Sequence, residues 1–253
     1  MTKWRNIQEA IEQLHDAGKT LPVWWRDDDA IELTPALLQL ESLAERYQIP
    51  VHLAIIPASA RRELAAALTQ NMIAVTHGLS HQNRAPDGSK KAEFSDVRPK
   101  RELSTDLQAG SDAMAALGIV TQPMFVPPWN RIGVSATDLL PSFGYRYLST
   151  YNARPEKWAA PGLERVNTHV DPIDWHETRS LVDEDQLLAR LQKDLDDRLS
   201  GATDATEPFG LLTHHLAHDG AIWDFTDQFL EVVLSAPVTL WQADKKDTTD
   251  EQT

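Results

Sequence analysis

The sequence predicts an α/β fold, a distorted (β/α) barrel of seven or eight mostly parallel strands. Three observations carry this expectation. Short apolar runs alternate with helical patterns along most of the chain, and that alternation implies parallel pairing. A length of 253 residues suits one such barrel, for which about 250 residues is typical. Polar residues, histidines above all, gather at the C-terminal ends of the apolar runs, where barrels place their chemistry.

The elements follow in order. The opening "MTKWRNIQEAIEQLHDAG" lacks the continuous apolar stretch of a secretory signal and reads as an amphipathic helix, so a cytoplasmic location is the default expectation. Strands are expected at 21–27 (LPVWWRD), 50–56, 72–77 (MIAVTH), 123–127, 145–150, 165–170, 209–215 (FGLLTHH) and 237–242. Helices between them carry start and stop signals. Thr34 before Pro35 reads as an N-cap and first helical residue, Pro99 opens a helix that Gly118 ends, and Ser135 with Asp138 resembles a capping box. Leu187, Leu191, Leu195 and Leu199 form an apolar stripe of core spacing. Residues 82–98 make an unusually long polar loop suited to covering a site. One domain is expected over 1–242, with 243–253 (ADKKDTTDEQT) a disordered tail because it has no apolar anchor.

Composition narrows the functions. A formal charge of −14 argues against nucleic acid and anionic membranes as partners, which require clustered Lys and Arg. No apolar run approaches the length of a membrane span. The absence of cysteine removes disulfides and thiolate metal sites.

Asp27, Asp28 and Asp29 close a strand that reads as buried. Adjacent carboxylates repel, and an unpaired buried one is costly, so a positive partner is required. Two imidazoles and a carboxylate are a common ligand set for a catalytic zinc. His77 and His81, four apart after another strand, supply the imidazoles; as a pair alone they read equally well as solvated loop histidines. His214 and His218 share the same spacing and form a rival pair, although His218 also reads as decoration of the loop after its strand. Seven of the nine histidines, including His169, His176 and His215, fall near strand ends.

In chain order these motifs resemble the polysaccharide deacetylases, the family-four carbohydrate esterases. "RDDDA" is similar to their first motif, TFDDG, with Asp28 as general base and Asp29 as ligand; a register one residue earlier, Asp27 and Asp28, stays open. His77 and His81 match H-[ST]-x-x-H, with Gly78 in the Ser/Thr place, and "VPPWN" (126–130) resembles the third motif. "DPIDW" (171–175) matches the fourth motif, and Leu212-Thr213-His214 the fifth. The resemblance spans about 21–241 and implies a zinc or other divalent transition metal held by Asp29, His77 and His81. It also implies His214 as general acid, hydrogen-bonded and charge-tuned by Asp171, Leu212 beside the acetyl methyl, and a backbone N–H near Trp129 facing the oxyanion. Trp129, Asn130, Trp175 and Leu212 are then the expected substrate-binding residues, although Asp171 also reads as a turn residue and the tryptophans as packing. Val126 stands where the family has the arginine that pairs with the base; Arg26, on the strand face of Asp28, and Arg131 are the substitutes available.

Of the remaining residues, Trp24 and Trp25 read as core, His169 as a satisfied structural histidine, and Glu93 and Phe94 as solvated loop residues. The implied function is a metal-dependent hydrolase that removes an acetyl group from an acetylated sugar or related small molecule. A non-catalytic carbohydrate-binding relative and a metal-dependent phosphoester hydrolase are the alternatives.

Overall fold

The structure is a computed structural model that describes residues 2–244. Its elements in order are α1 (Thr2–Asp16), β1 (Leu21–Ala30), α2 (Pro35–Tyr47), β2 (Val51–Ile55), α3 (Arg62–Ala67), β3 (Met72–His77), α4 (Lys100–Ala116) and β4 (Met124–Val126). There follow α5 (Val134–Thr137), β5 (Tyr147–Leu148), β6 (Trp158–Ala160), β7 (Leu163–Arg165), β8 (Thr168–Val170), α6 (Glu184–Ser200), β9 (Phe209–Thr213), α7 (Gly220–Ser235) and β10 (Val238–Leu240).

The sheet runs β6-β7-β5-β4-β3-β2-β1-β9-β8, with β10 added beside the start of β1. Every strand pairing is parallel except β6 with β7. Residues 163–170 join the two flanks. Their first half pairs with β5 and their second half with β9, and a bridge from Tyr151 to Thr168 continues the contact. The curled, mostly parallel barrel is the one the alternation predicted.

Side-chain alternation along β1 sorts the core. Val23 and Trp25 face outward into the largest apolar cluster, with Ile7, Ile11 and Leu14 of α1, Leu187, Leu191 and Leu195 of α6, and Phe225 and Phe229 of α7. Trp24 faces inward with Ala54, Val75, Met124 and Val126. The indole of Trp24 lies so close across β9 that a Cβ at Gly210 would sit 2.5 Å from its Nε1. Both tryptophans are core, on opposite faces. By the same alternation Arg26 and Asp28 share the inward face, while Asp27 points outward.

Local signals are realised unevenly. Thr34 Oγ1 accepts from the Leu37 N–H, as an N-cap should, and α4 runs from just after Pro99 to a stop at Gly118 (φ 73°). The Ser135–Asp138 capping box does not form. Gly133 is the N-cap of α5, Asp138 its C-cap, and the Ser135 N–H donates to Asp96 from the long loop. The expected strand at 165–170 is two short ones, β7 and β8, and the β6–β7 pair is an addition turned at Gly162 (φ 76°). The tail expectation fails at its first two residues. Ala243 is buried and its N–H donates to His52 Nε2 at 3.0 Å, while Asp244 accepts from the Tyr147 hydroxyl at 3.2 Å. Residues 245–253 of that segment lie outside the described residues. Among the described residues no helix is long and apolar enough to cross a membrane.

Candidate metal centre and active site

The three aspartates do three different things. Asp27 is 0% exposed and accepts from the Thr213 hydroxyl at 2.7 Å and the His215 N–H at 2.9 Å, with His215 Nδ1 at 2.5 Å. Burial alone would raise its carboxyl, but the charge of His215 and the bonds from His215 and Thr213 outweigh it and hold the group below its usual value. Asp27 thus pins β1 to the turn after β9 and stays out of the site. Asp28 faces the barrel mouth and meets Arg26 side on, Nε to Oδ1 at 2.9 Å and Nη2 to Oδ2 at 3.0 Å.

Asp29 breaks the alternation that would send it outward with Asp27. Its backbone is left-handed (φ 72°), and the β1–β2 register slips between Asp27 and Ala30. A bulge here re-aims the side chain, a use bulges often serve beside active sites. Its Oδ1 lies 3.2 Å from His77 Nε2 and 3.3 Å from His81 Nε2. The geometry therefore brings together the Asp28 and Asp29 register and excludes Asp27.

The donor set fits a divalent cation. Ligand atoms of Asp29, His77 and His81 lie within 4.8 Å of one another. The Val126 carbonyl can only accept, so His77 Nδ1, 3.0 Å away, carries a proton, and Nε2 is the nitrogen that would offer its lone pair to a cation. Burial lowers the His81 imidazole and keeps it neutral, as a ligand must be. Burial would raise the Asp29 carboxyl, but the bond and charge of a protonated His77, which the charges of Asp28 and Asp29 raise against its own burial, hold it far below its usual range. A bound cation would replace that proton at Nε2 and favour the carboxylate in the same way. Three protein ligands would leave room on a bound ion for water and substrate.

Of the two arginines available in place of one at position 126, Arg26 is the one that meets Asp28. It is fully buried, and beyond Asp28 it donates to Ser149 Oγ at 2.7 Å, the Thr150 carbonyl at 3.2 Å and Asn130 Oδ1 at 2.7 Å. Arg131 is exposed and reaches only the Lys91 carbonyl. Asn130, expected at the substrate, has its side-chain oxygen committed to Arg26. Trp129 packs on His81 with ring centroids 4.4 Å apart.

Across the mouth, His214 Nε2 lies 3.9 Å from Asp28 Oδ2. Its ring meets the edge of Trp175 at 4.6 Å, and the Trp175 indole N–H donates to Asp171 Oδ2 at 2.8 Å. The implied Asp171–His214 hydrogen bond is not made. Asp171 Oδ1 accepts from the Ile173 N–H, and His214 Nδ1 is buried without a partner among the described residues. Asp171 thus reaches His214 through the ring it orients and through charge, while burial raises its own carboxyl. Leu212 shares the His214 face and is 0% exposed.

The other histidines divide cleanly. His218 stands apart from the cluster of Asp29, His77 and His81; its Nε2 accepts from the His214 backbone N–H at 3.4 Å and its ring packs on Trp223. His169 is a satisfied structural histidine whose Nδ1 accepts from the Gly210 N–H. His176 is exposed. Beside Asn130 a cleft of about 440 Å³ runs past Arg131, Thr150, Tyr151 and Arg165. Glu93 and Phe94, read as solvated, are both fully buried. Phe94 belongs to the apolar cluster with Phe125, and Glu93 binds the turn that follows His77. The signal that pointed there was Gly78, an unusual residue at its motif position.

No family model matches the sequence, and no curated protein matches it. Solved structures do. A family 4 carbohydrate esterase from Streptomyces lividans in complex with acetate superposes with a TM-score of 0.57 at 13% identity, over 89% of this chain and 94% of that one. A deacetylase solved with its substrate gives 0.55 at 15% identity, over 90% of each chain. A family 4 pseudoenzyme from Bacillus anthracis gives 0.55 at 12% identity, over 87% of this chain and 63% of that one. The likeness is one of fold.

Proposed function

We propose that this chain, which has the fold of the family 4 carbohydrate esterases, is a metal-dependent deacetylase acting on an acetylated sugar or related small molecule. The observation that carries the reading is convergence. Asp29, His77 and His81 form a three-ligand cluster, with Asp28 beside it and His214 across from it, all at the C-terminal ends of β1, β3 and β9. A divalent ion bound there, zinc by preference, would lower the pKa of its water to about 7 and polarise the acetyl carbonyl.

The side chains supply the rest. Asp28 takes the proton of the attacking water, and Arg26 holds it by a hydrogen bond from Nη2 to Oδ2 and by the ion pair of Nε with Oδ1. His214, on the opposite side, gives a proton to the leaving amine or alcohol, and Trp175 holds its ring in place. Leu212, on the same strand face as His214, is the apolar side chain assigned to the acetyl methyl. Trp129 and Trp175 are amphipathic walls of the kind sugars stack on.

The intact set of Asp28, Asp29, His77, His81 and His214 favours catalysis over carbohydrate binding alone. The test is metal analysis of purified protein together with acetate release from a panel of N- and O-acetylated sugars. One zinc per chain and acetate release that Asp28→Asn abolishes are the expected results. Bound metal with no release from any compound would favour the binding-only relative, and release without metal would refute the reading.

A further inference from the structure

Two of the cluster residues sit on strand β3 and at the bulge of β1, but His81 lies beyond β3 in left-handed backbone (φ 55°). Its position depends on the turn 78–81. That turn has no side chain of its own at position 78, where Gly78 adopts φ 57°. Glu93 fills the space. It is 0% exposed, and a Cβ at Gly78 would lie 2.3 Å from its Oε2 and 2.6 Å from Pro128 Cδ. Its Oε2 accepts from the Leu79 N–H at 3.0 Å, and its Oε1 accepts from the Ser80 N–H at 2.8 Å and the Ser80 hydroxyl at 2.7 Å. Successive backbone N–H groups converging on one anion form a nest, a strong way to fix a turn.

The long loop 82–98 delivers this carboxylate and is itself anchored. Phe94 packs edge-on to Phe125 at 5.1 Å, its carbonyl accepts from the Gly133 N–H at 2.7 Å, and Arg98 donates to the Glu93 carbonyl.

We infer that Glu93 is a positioning residue for the metal centre: its carboxylate replaces the side chain missing at position 78 and fixes His81 as a ligand by locking the turn. The inference rests on the reading that Asp29, His77 and His81 hold a divalent ion. Without Glu93, the two N–H groups lose their acceptor and the turn samples many backbone states. Ordering it then falls on metal binding. Groups that orient a ligand in this way typically change metal affinity 10- to 100-fold when lost, and a loss of about that size is expected here.

The test titrates metal-free protein with Zn²⁺ against a chromophoric chelator for wild type, Glu93→Gln and Ser80→Ala. The amide introduced by Glu93→Gln would aim N–H groups at a backbone donor, so roughly 10- to 100-fold weaker zinc binding is expected. Ser80→Ala removes one of three bonds and should show a smaller loss in the same direction; it carries the test if Glu93→Gln does not fold. Amide exchange at Leu79 and Ser80 should speed up in the zinc-free Glu93→Gln protein. Wild-type zinc affinity in both variants, or a lower melting temperature with unchanged affinity, would overturn the inference. Failure of the wild type to bind zinc would instead overturn the metal reading itself.

Discussion

Replacing Arg26 by Met tests the most tightly buried ion pair of the site. Arg26 is 0% and Asp28 3% exposed, and their two contacts are 2.9 and 3.0 Å. At 3 Å and an effective dielectric of 20, the attraction is roughly 5 kcal/mol. Much of that offsets the desolvation of both charges, so the pair itself contributes little net stability. Removing only one partner is different, because it leaves a buried charge uncompensated, and about 3–5 kcal/mol is the expected cost. Asp28→Asn should cost less, since Arg26 keeps Ser149, the Thr150 carbonyl and Asn130 as acceptors. In the double variant no stranded carboxylate remains, so the two changes should couple by about 2–3 kcal/mol. The assay is urea unfolding of all four proteins in chelator, so that bound metal does not compensate Asp28. A coupling below about 0.5 kcal/mol would mean that Arg26 and Asp28 do not act as a unit, and the assignment of Arg26 as the replacement arginine would fall.

Three further outcomes follow from the geometry. Asp28→Asn should end turnover and keep metal, Asp29→Asn should release metal, and Asp27→Asn should lower stability while leaving metal content intact; metal analysis with unfolding curves separates them, and a metal-free Asp27→Asn would move the register. His214→Ala should lower turnover by roughly two to four orders of magnitude with metal unchanged, whereas His215→Ala should act on stability through Asp27; a near-normal rate in His214→Ala rejects it as the acid. His52 is pushed down to about 4, by burial first and by the charge of Arg26, against the opposing bond to the Trp25 carbonyl. The unfolded chain therefore takes up this proton first as pH falls, so the contribution is complete above about pH 6.5 and is lost on the way to 4. The gap corresponds to about 3 kcal/mol. Stability of His52→Gln should depend less on pH across that window, and an unchanged slope would refute the assignment.

Much of this was legible in the sequence because alternation is a strong signal. Strand β3 is found at 72–77 as its apolar run predicts, and the spacing of Arg26 and Asp28 correctly puts both on one face. The bulge at Asp29 was not legible, since it depends on how β1 registers against β2 at Ala30 and Ile55. The β6–β7 pair is three residues a strand and half exposed, so no apolar run announces it. Glu93 was misread because a polar loop looks solvated until something buried inside it is seen to need an anion. The Asp171–His214 bond was expected by analogy alone, and here Trp175 takes the Asp171 oxygen that the analogy reserved for His214.

Among the described residues seven non-glycine residues carry left-handed backbone, and four of them, Asp29, His81, Trp129 and Asn130, surround the one site. Such backbone costs an ordinary residue about 1–2 kcal/mol, less for Asp and Asn. At His81 and Trp129 neither side chain relieves that cost itself, so the contacts around them must offset it: Trp129 packs on His81 at 4.4 Å, and Glu93 anchors the turn that leads to His81. The backbone strain of the barrel is thus concentrated where its proposed chemistry lies.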